Sequence, residues 1–224
     1  MSEFFFARIE NGIAEFDDHE INHMKVMRIK DGSEIFFTDG KGRLFRGILS
    51  NYRSKVDDVV KVQERKGLKI HIIISPIKWE RMRFLVEKAT ELEISTLVLS
   101  NMDRTTRKET ESKIKKIEFV MRDALKQSGN LYMPEIVDIK DFKIPQSAVK
   151  ILFDPDSKKS IREIDDSSEY VLIFGPEGGF TQREKERFES IGFEKIKLSE
   201  RILRVETAVI FALSSITVLK GVLR

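Results

Sequence analysis

Two short stretches combine residue types able to hold a small polar ligand: Gly175-Pro176-Glu177-Gly178-Gly179-Phe180, and the run from Leu198 to Ala208, LSERILRVETA. Each follows an apolar, β-rich run and leads into helical periodicity. In the first, Gly175, Gly178 and Gly179 remove Cβ atoms where a backbone must turn sharply or let a ligand come close, so main-chain amides can be pressed against a polar group. The same glycines serve a tight strand-to-helix connection with no ligand, and the residues alone leave both readings open.

The flanking elements fix where these turns sit. Tyr170 to Phe174, YVLIF, is a continuous apolar run of the kind buried on both faces of a sheet, and it breaks at Gly175-Pro176. Thr181 with Glu184 three residues on predicts a capping box; Phe188 and Ile191 then precede Gly192, which predicts a helix of about three turns. The alternating strand FEKIKL ends at Leu198, and an unusually apolar helix starts near Val205. Val205, Val209, Ala212, Ile216 and Leu219 mark one of its faces, while Ile210, Phe211, Leu213 and Val218 lie elsewhere around it. A helix apolar over so much of its circumference is covered by its own core and by a partner, so a homodimer through Phe211, Ile216 and Leu219 is expected.

Upstream, residues 1–69 read as short β segments: FFFARI, SEIFFTD, RLFRGILSN and DVVKVQERK. Asp39, Gly40 and Gly42 give a hairpin loop, and a small barrel or sandwich is predicted. From residue 70 to 224 the pattern changes to strand and helix alternation. HIIIS is a buried strand; Trp79, Met82, Leu85, Val86, Ala89 and Leu92 mark a helix; STLVLS is a second strand, followed by the basic loop NMDRTTRK. A further helix carries Ile114, Ile117, Met121, Ala124 and Leu125 and stops at Gly129; strands follow after Pro134 and at 149–153. The fold class is therefore α/β, with an open, mainly parallel sheet covered on both faces. In such sheets ligands bind beyond the carboxyl ends of the strands, where NMDRTTR, DPDS, GPEGGF and SERILR all fall.

Composition narrows the function. With no cysteine and three scattered histidines, thiolate and zinc chemistry are excluded and no metal is expected. A nucleotide hydrolase would place a lysine and a hydroxyl after its glycine loop, and here Phe180 stands there. The net charge of +3 is too slight to mark nucleic-acid binding globally. Locally, though, Lys25, Arg28, Lys30, Lys41, Arg43, Arg46 and Arg53 outnumber Asp31, Glu34 and Asp39, which makes a modest basic patch. No apolar stretch of about 18 residues and no cleavable leader is present, so no membrane association and a cytoplasmic location are expected.

Several separated blocks then carry a resemblance: HEINHMKVMRIKDGSEIFFTDGKG, ERMRFLVEKATEL, DRTTR, DALKQSG followed by Pro134, FGPEGGFTQRE and LSERILRVETA. In this order they resemble the RsmE family, the 16S ribosomal RNA uridine N3-methyltransferases of the SPOUT superfamily. The resemblance implies an N-terminal PUA-like β-barrel that helps to hold RNA. It also implies a C-terminal SPOUT-type parallel sheet whose chain end is tucked through a loop as a trefoil knot, a threading that general topology rules would reject. It departs from the family at Ser199 and Glu93, where glycine is usual, at Val205 for threonine, and at Asn130 for arginine.

The implied cofactor is S-adenosylmethionine and the implied partner is 16S rRNA or the small ribosomal subunit. The implied cofactor residues from the first turn are Phe174, Gly175, Pro176, Glu177, Gly178, Gly179 and Phe180, with Phe153 from the preceding strand. From the second turn come Leu198, Ser199, Ile202, Leu203, Arg204, Thr207 and Ala208, with Phe174, Ile202 and Leu203 expected to sandwich a purine. Arg8, Lys25, Arg28, Arg43, Arg104 and Arg107 are the implied RNA contacts. Methylating uracil N3 requires loss of its proton while negative charge spreads onto the flanking carbonyls, and Arg204 is the expected stabiliser of that charge. Its bland alternative is an ion pair with Glu206 or Glu177. Those two glutamates are candidate bases on chemistry alone, or anchors for amides or cofactor hydroxyls. Without a cysteine nucleophile, direct N-methylation is favoured over C5 chemistry. A ribosome-binding protein with an inert α/β part would keep the basic patch but would not need both turns.

Overall fold

The computed structural model describes residues 4–64, 67–106 and 111–219. The chain divides into two compact units, one of residues 1–65 with 122–133 and the other of residues 66–121 with 134–224. The first unit therefore draws on a segment far beyond residue 69.

In the first unit, strands β1 (Phe4–Phe6), β2 (Arg8–Glu10) and β3 (Ile13–Glu15) precede helix α1 (Asp18–Val26). Strands β4 (Glu34–Thr38), β5 (Arg43–Ser50), β6 (Arg53–Lys55) and β7 (Asp58–Val62) follow. They join in the order β1-β4-β5-β6-β3-β2, with β7 also on β5, as one barrel-like sheet. β5 is long enough to pair with β4, β6 and β7, so it binds the sheet together. The core comprises Phe5, Phe16, Met24, Ile35, Phe37, Phe45 and Leu49. A second cluster packs Leu125 and Leu131 of the later segment against Phe4. Asn130 belongs to this junction: its side-chain oxygen accepts from Gln63 Nε2 at 2.9 Å and from the Tyr132 amide at 3.0 Å. That buried role accounts for an amide where an arginine is usual.

Helix α1 lies inside the stretch expected to be wholly β. Its pattern is weak because only Glu20 and Met24 are buried along it. What specifies it is the cap: Asp17 accepts from the Glu20 amide at 3.0 Å. Asp17 also pairs with Arg122, and Lys126 reaches the buried Glu20 carboxylate at 2.8 Å.

In the second unit every sheet contact is parallel. Strands β8 (Lys69–Ile74), β9 (Thr96–Leu99), β10 (Glu135–Asp138), β11 (Val149–Phe153), β12 (Glu169–Phe174) and β13 (Glu194–Ile196) lie in the order β10-β9-β8-β12-β11-β13. Successive residues of β8, β9 and β12 are buried, as the continuous apolar runs require for a sheet covered on both faces. The helices are α2 (Trp79–Glu91), α3 (Glu111–Ser128), α4 (Gln182–Ser190) and α5 (Val205–Leu219), with a 3-10 turn at Ile161–Glu163. The C-terminal part of α3, from Arg122, belongs to the first unit. After α2 the chain turns at Glu93 with φ +60°, the left-handed conformation that explains a glycine preference there. The capping box at Thr181 and Glu184 forms as its spacing predicts, and Gly192 has φ +92° just past α4.

On α5 the buried face is Glu206, Val209, Ala212, Leu213 and Ile216. Leu213 thus joins the core, whereas Leu219 is exposed. Ile216, expected at a dimer contact, is fully buried in its own subunit, and the exposed apolar residues are Phe211, Val218 and Leu219.

The Asp17 cap yields a stability test. Burial of Asp17 alone would raise its pKa, but the Glu20 amide and Arg122 outweigh that and hold it below the ordinary 3.8. Its contribution is thus complete above that value and fades as pH falls through the lowered folded value. Asp17→Ala should cost about 1–2 kcal/mol in urea unfolding at neutral pH. The gap from wild type should shrink under strong acid, and an undiminished gap there would contradict the assignment.

Candidate active site

The strand ends of β11, β12 and β13 lie side by side, Phe153 opposite Phe174 and also opposite Ile196. The segments leaving them enclose a cleft of about 600 Å³ lined by 153–156, 174–180, 198–199, 201–205 and Ala208, with Arg81, Arg104 and Lys185 at its walls. That volume lies within the range of small-molecule sites. The sequence-predicted residues Phe153, Gly175, Pro176, Glu177, Gly178, Gly179, Phe180, Leu198, Ser199, Ile202, Leu203, Arg204 and Ala208 all line it, as does Phe174. Thr207 does not: it is the third residue of the helix that begins at Val205, and it is exposed.

The floor is aromatic. Phe153 and Phe174 stack with ring centroids 4.8 Å apart. Phe174 is only 2% exposed, so its stacked ring contributes little open surface to the cleft. Ile202, 87% exposed, and the partly exposed Leu203 are the apolar residues that present themselves to a ligand. A Cβ on Gly175 would lie 3.1 Å from the Phe180 ring, and Phe180 packs into the core edge-on to Phe188. The glycine therefore lets the turn fold over its own anchor.

The loop after β9 clamps the glycine turn. Arg104 Nη1 donates to the Gly178 carbonyl at 2.8 Å, and its side chain occupies the space beside Gly178 where a Cβ would come within 3.3 Å. Glu184 accepts from the amides of Asp103 and Thr181, both at 2.8 Å, and Thr181 Oγ1 donates to Asp103 at 2.8 Å. Across the cleft Lys185 is paired with the buried Asp154 at 2.7 Å. In the second turn Ser199 Oγ accepts from the Arg201 amide at 3.1 Å, so the serine that replaces a usual glycine closes the turn with its side chain.

Arg204 is exposed on the cleft and has no side-chain partner among the described residues. Neither glutamate pairs with it. Arg81, which sequence reasoning missed, takes both: Nη1 donates to Glu177 Oε1 at 2.5 Å, and Nε lies 3.8 Å from Glu206 Oε1. Only its place in the block ERMRFLVEKATEL hinted at such a role.

The implied RNA contacts of the first unit differ in availability. Arg8 is paired with Glu10 at 2.5 Å, and Arg43 lies 3.8 Å from Asp39 and over the Phe45 ring. Lys25 sits over Tyr52, while Arg28, exposed with φ +58°, has no acidic partner among the described residues. Arg46 and Arg53 are tied to Asp58 and Glu15, both at 2.8 Å. Arg107 lies outside the described residues.

A family model for an RNA methyltransferase domain matches residues 64–217, and one for an RNA methyltransferase PUA domain matches residues 16–51. The ribosomal RNA small subunit methyltransferase E of Buchnera aphidicola subsp. Schizaphis graminum is 30% identical over 218 residues, covering 91% of this chain and 88% of that protein. A solved structure described as a predicted RNA methyltransferase from Thermotoga maritima has a TM-score of 0.81 at 29% identity, covering 98% of this chain and 99% of the other. The ribosomal RNA small subunit methyltransferase E from Neisseria gonorrhoeae, bound to S-adenosyl methionine, has a TM-score of 0.81 at 23% identity, covering 96% of each chain. The chain belongs to the RNA methyltransferase family, among the ribosomal RNA small subunit methyltransferases E. Its fold combines the SPOUT-type parallel sheet with a PUA-like N-terminal barrel.

Proposed function

We propose that this protein methylates N3 of a uridine in 16S ribosomal RNA, using S-adenosylmethionine held in the strand-end cleft. The observation that carries the proposal is Arg204, a guanidinium with no side-chain partner among the described residues, on a cleft of small-molecule size walled by glycine-rich main chain. The cleft suits such a cofactor: Ile202 and Leu203 offer apolar contact, and the backbone of 175–180 and 198–204 offers polar groups. The Neisseria gonorrhoeae protein of the same fold binds that molecule.

When bound, S-adenosylmethionine supplies an electrophilic methyl group. The chain's own work is to orient the base, exclude water and stabilise charge. The reaction forms an N3–carbon bond and breaks a sulfur–carbon bond, and the N3 proton passes to water. Negative charge on the flanking carbonyl oxygens is met by Arg204. RNA is held through phosphates by Arg28 and Lys25 of the barrel, with Arg8 and Arg43 able to exchange exposed ion pairs for phosphate, and by Arg104 and Arg107 of the second unit. A ribosomal substrate places the protein in the cytoplasm.

The same reading includes the knotted chain end. It is supported by the parallel bridge of Ser160 with Lys197, and by the lining of one cleft by segments that follow β11, β12 and β13. It also includes a homodimer through Phe211, Val218 and Leu219 of α5, whose exposed apolar side chains flank a groove lined by Ser214, Ser215 and Ile161. Sedimentation at micromolar protein should show a dimer, and a monomer there would count against it.

Labelled methyl transfer to small-subunit RNA or particles lacking the modification tests the activity. Nucleoside analysis should find 3-methyluridine, and Arg204→Ala should lower the rate about 10²–10³-fold with RNA binding nearly intact. 5-Methyluridine or a ribose 2′-O-methyl product would overturn the N3 assignment. RNA binding with no methylation would favour an inert assembly factor.

A further inference from the structure

Arg204 shares its cleft with a carboxylate and is followed closely in the chain by another. Glu206 follows it by two residues, and Glu177 lines the same cleft. A guanidinium and a carboxylate within reach form strong, often bidentate bonds, and such a pair would cancel the charge that the reaction needs. Glu206 is the more demanding of the two, because it is 8% exposed and its Oε2 has no hydrogen-bond partner among the described residues. A buried carboxylate short of donors draws in any cation that can reach it.

Arg81 intercepts both. It rises from the first turn of α2, donates to Glu177 at 2.5 Å and lies 3.8 Å from Glu206. The forked guanidinium can address two carboxylates at once, which a lysine ammonium does less well. We infer that Arg81 is a positioning residue that keeps Arg204 unpaired by occupying Glu177 and Glu206. The inference rests on the reading of Arg204 as the group that stabilises charge on the base. It also ties α2, the glycine turn and the start of α5 into one charge balance: two carboxylates, one cation that holds them and one left for substrate.

This role differs from that of a structural clasp in what restores activity. Arg81→Ala should lower kcat about 10-fold or more while changing KM for S-adenosylmethionine less, since the loss is of charge stabilisation rather than of cofactor contacts. Because Arg81 acts through Arg204, Arg81→Ala should cost little further in an Arg204→Ala background. Adding Glu206→Gln to Arg81→Ala removes the buried competing charge, and that double variant should recover part of the lost kcat although the clasp is gone. It also remains informative if Arg81→Ala alone fails to fold around an uncompensated Glu206. Arg81→Lys should retain part of the activity.

Full activity in a folded Arg81→Ala protein would overturn the inference. So would an Arg81→Ala, Glu206→Gln variant as slow as Arg81→Ala, or a full additive loss on the Arg204→Ala background; either result would assign Arg81 to architecture. If Arg204→Ala itself methylates at the wild-type rate, the fault lies in the reading of Arg204, and that control separates the two failures.

Discussion

The site depends on the register of three parallel strands. Phe153 pairs with Phe174 and with Ile196, so β11, β12 and β13 end at one level and their following segments rise together around one space. The stacked rings of Phe153 and Phe174 fill the ledge beneath it. Both faces of this sheet are buried, and a slip of one residue would turn core side chains to the opposite face along a whole strand. The cleft is thus positioned by the apolar content of the strands, while the turns above them are left to supply chemistry.

Around that ledge most cations are already committed. Arg104 is held by the Gly178 carbonyl, Lys185 by Asp154 and Arg81 by Glu177, which fixes the glycine turn from both sides. This division leaves two cations of the cleft, Arg201 and Arg204, uncommitted among the described residues. Preorganised charge of this kind costs no rearrangement at the moment of reaction.

The sheet and both turns were legible because their signals are local. YVLIF, HIIIS and STLVLS are unbroken apolar runs, and the Thr181 box lies within four residues. Helix α1 was not legible, since its cap rather than its apolar pattern defines it and its support comes from Arg122 and Lys126 far along the chain. The same distance hid Arg81, whose partners Glu177 and Glu206 belong to later connections. Phe174 shows what residue type alone leaves out: it lines the cleft as expected, but burial against Phe153 leaves it only 2% exposed. Ser199 and Glu93, both departures from glycine, are absorbed by a side-chain hydrogen bond and by a left-handed turn, neither of which residue type discloses.

The central claim is that the space above β11, β12 and β13 is the cofactor site. Amide hydrogen exchange of the wild-type protein with and without S-adenosylhomocysteine tests it most directly, alongside a calorimetric titration of the same ligand. The account predicts saturable binding with slowed exchange confined to 153–156, 175–180 and 198–208. No binding at high micromolar ligand, or protection that falls outside these three segments, would contradict it.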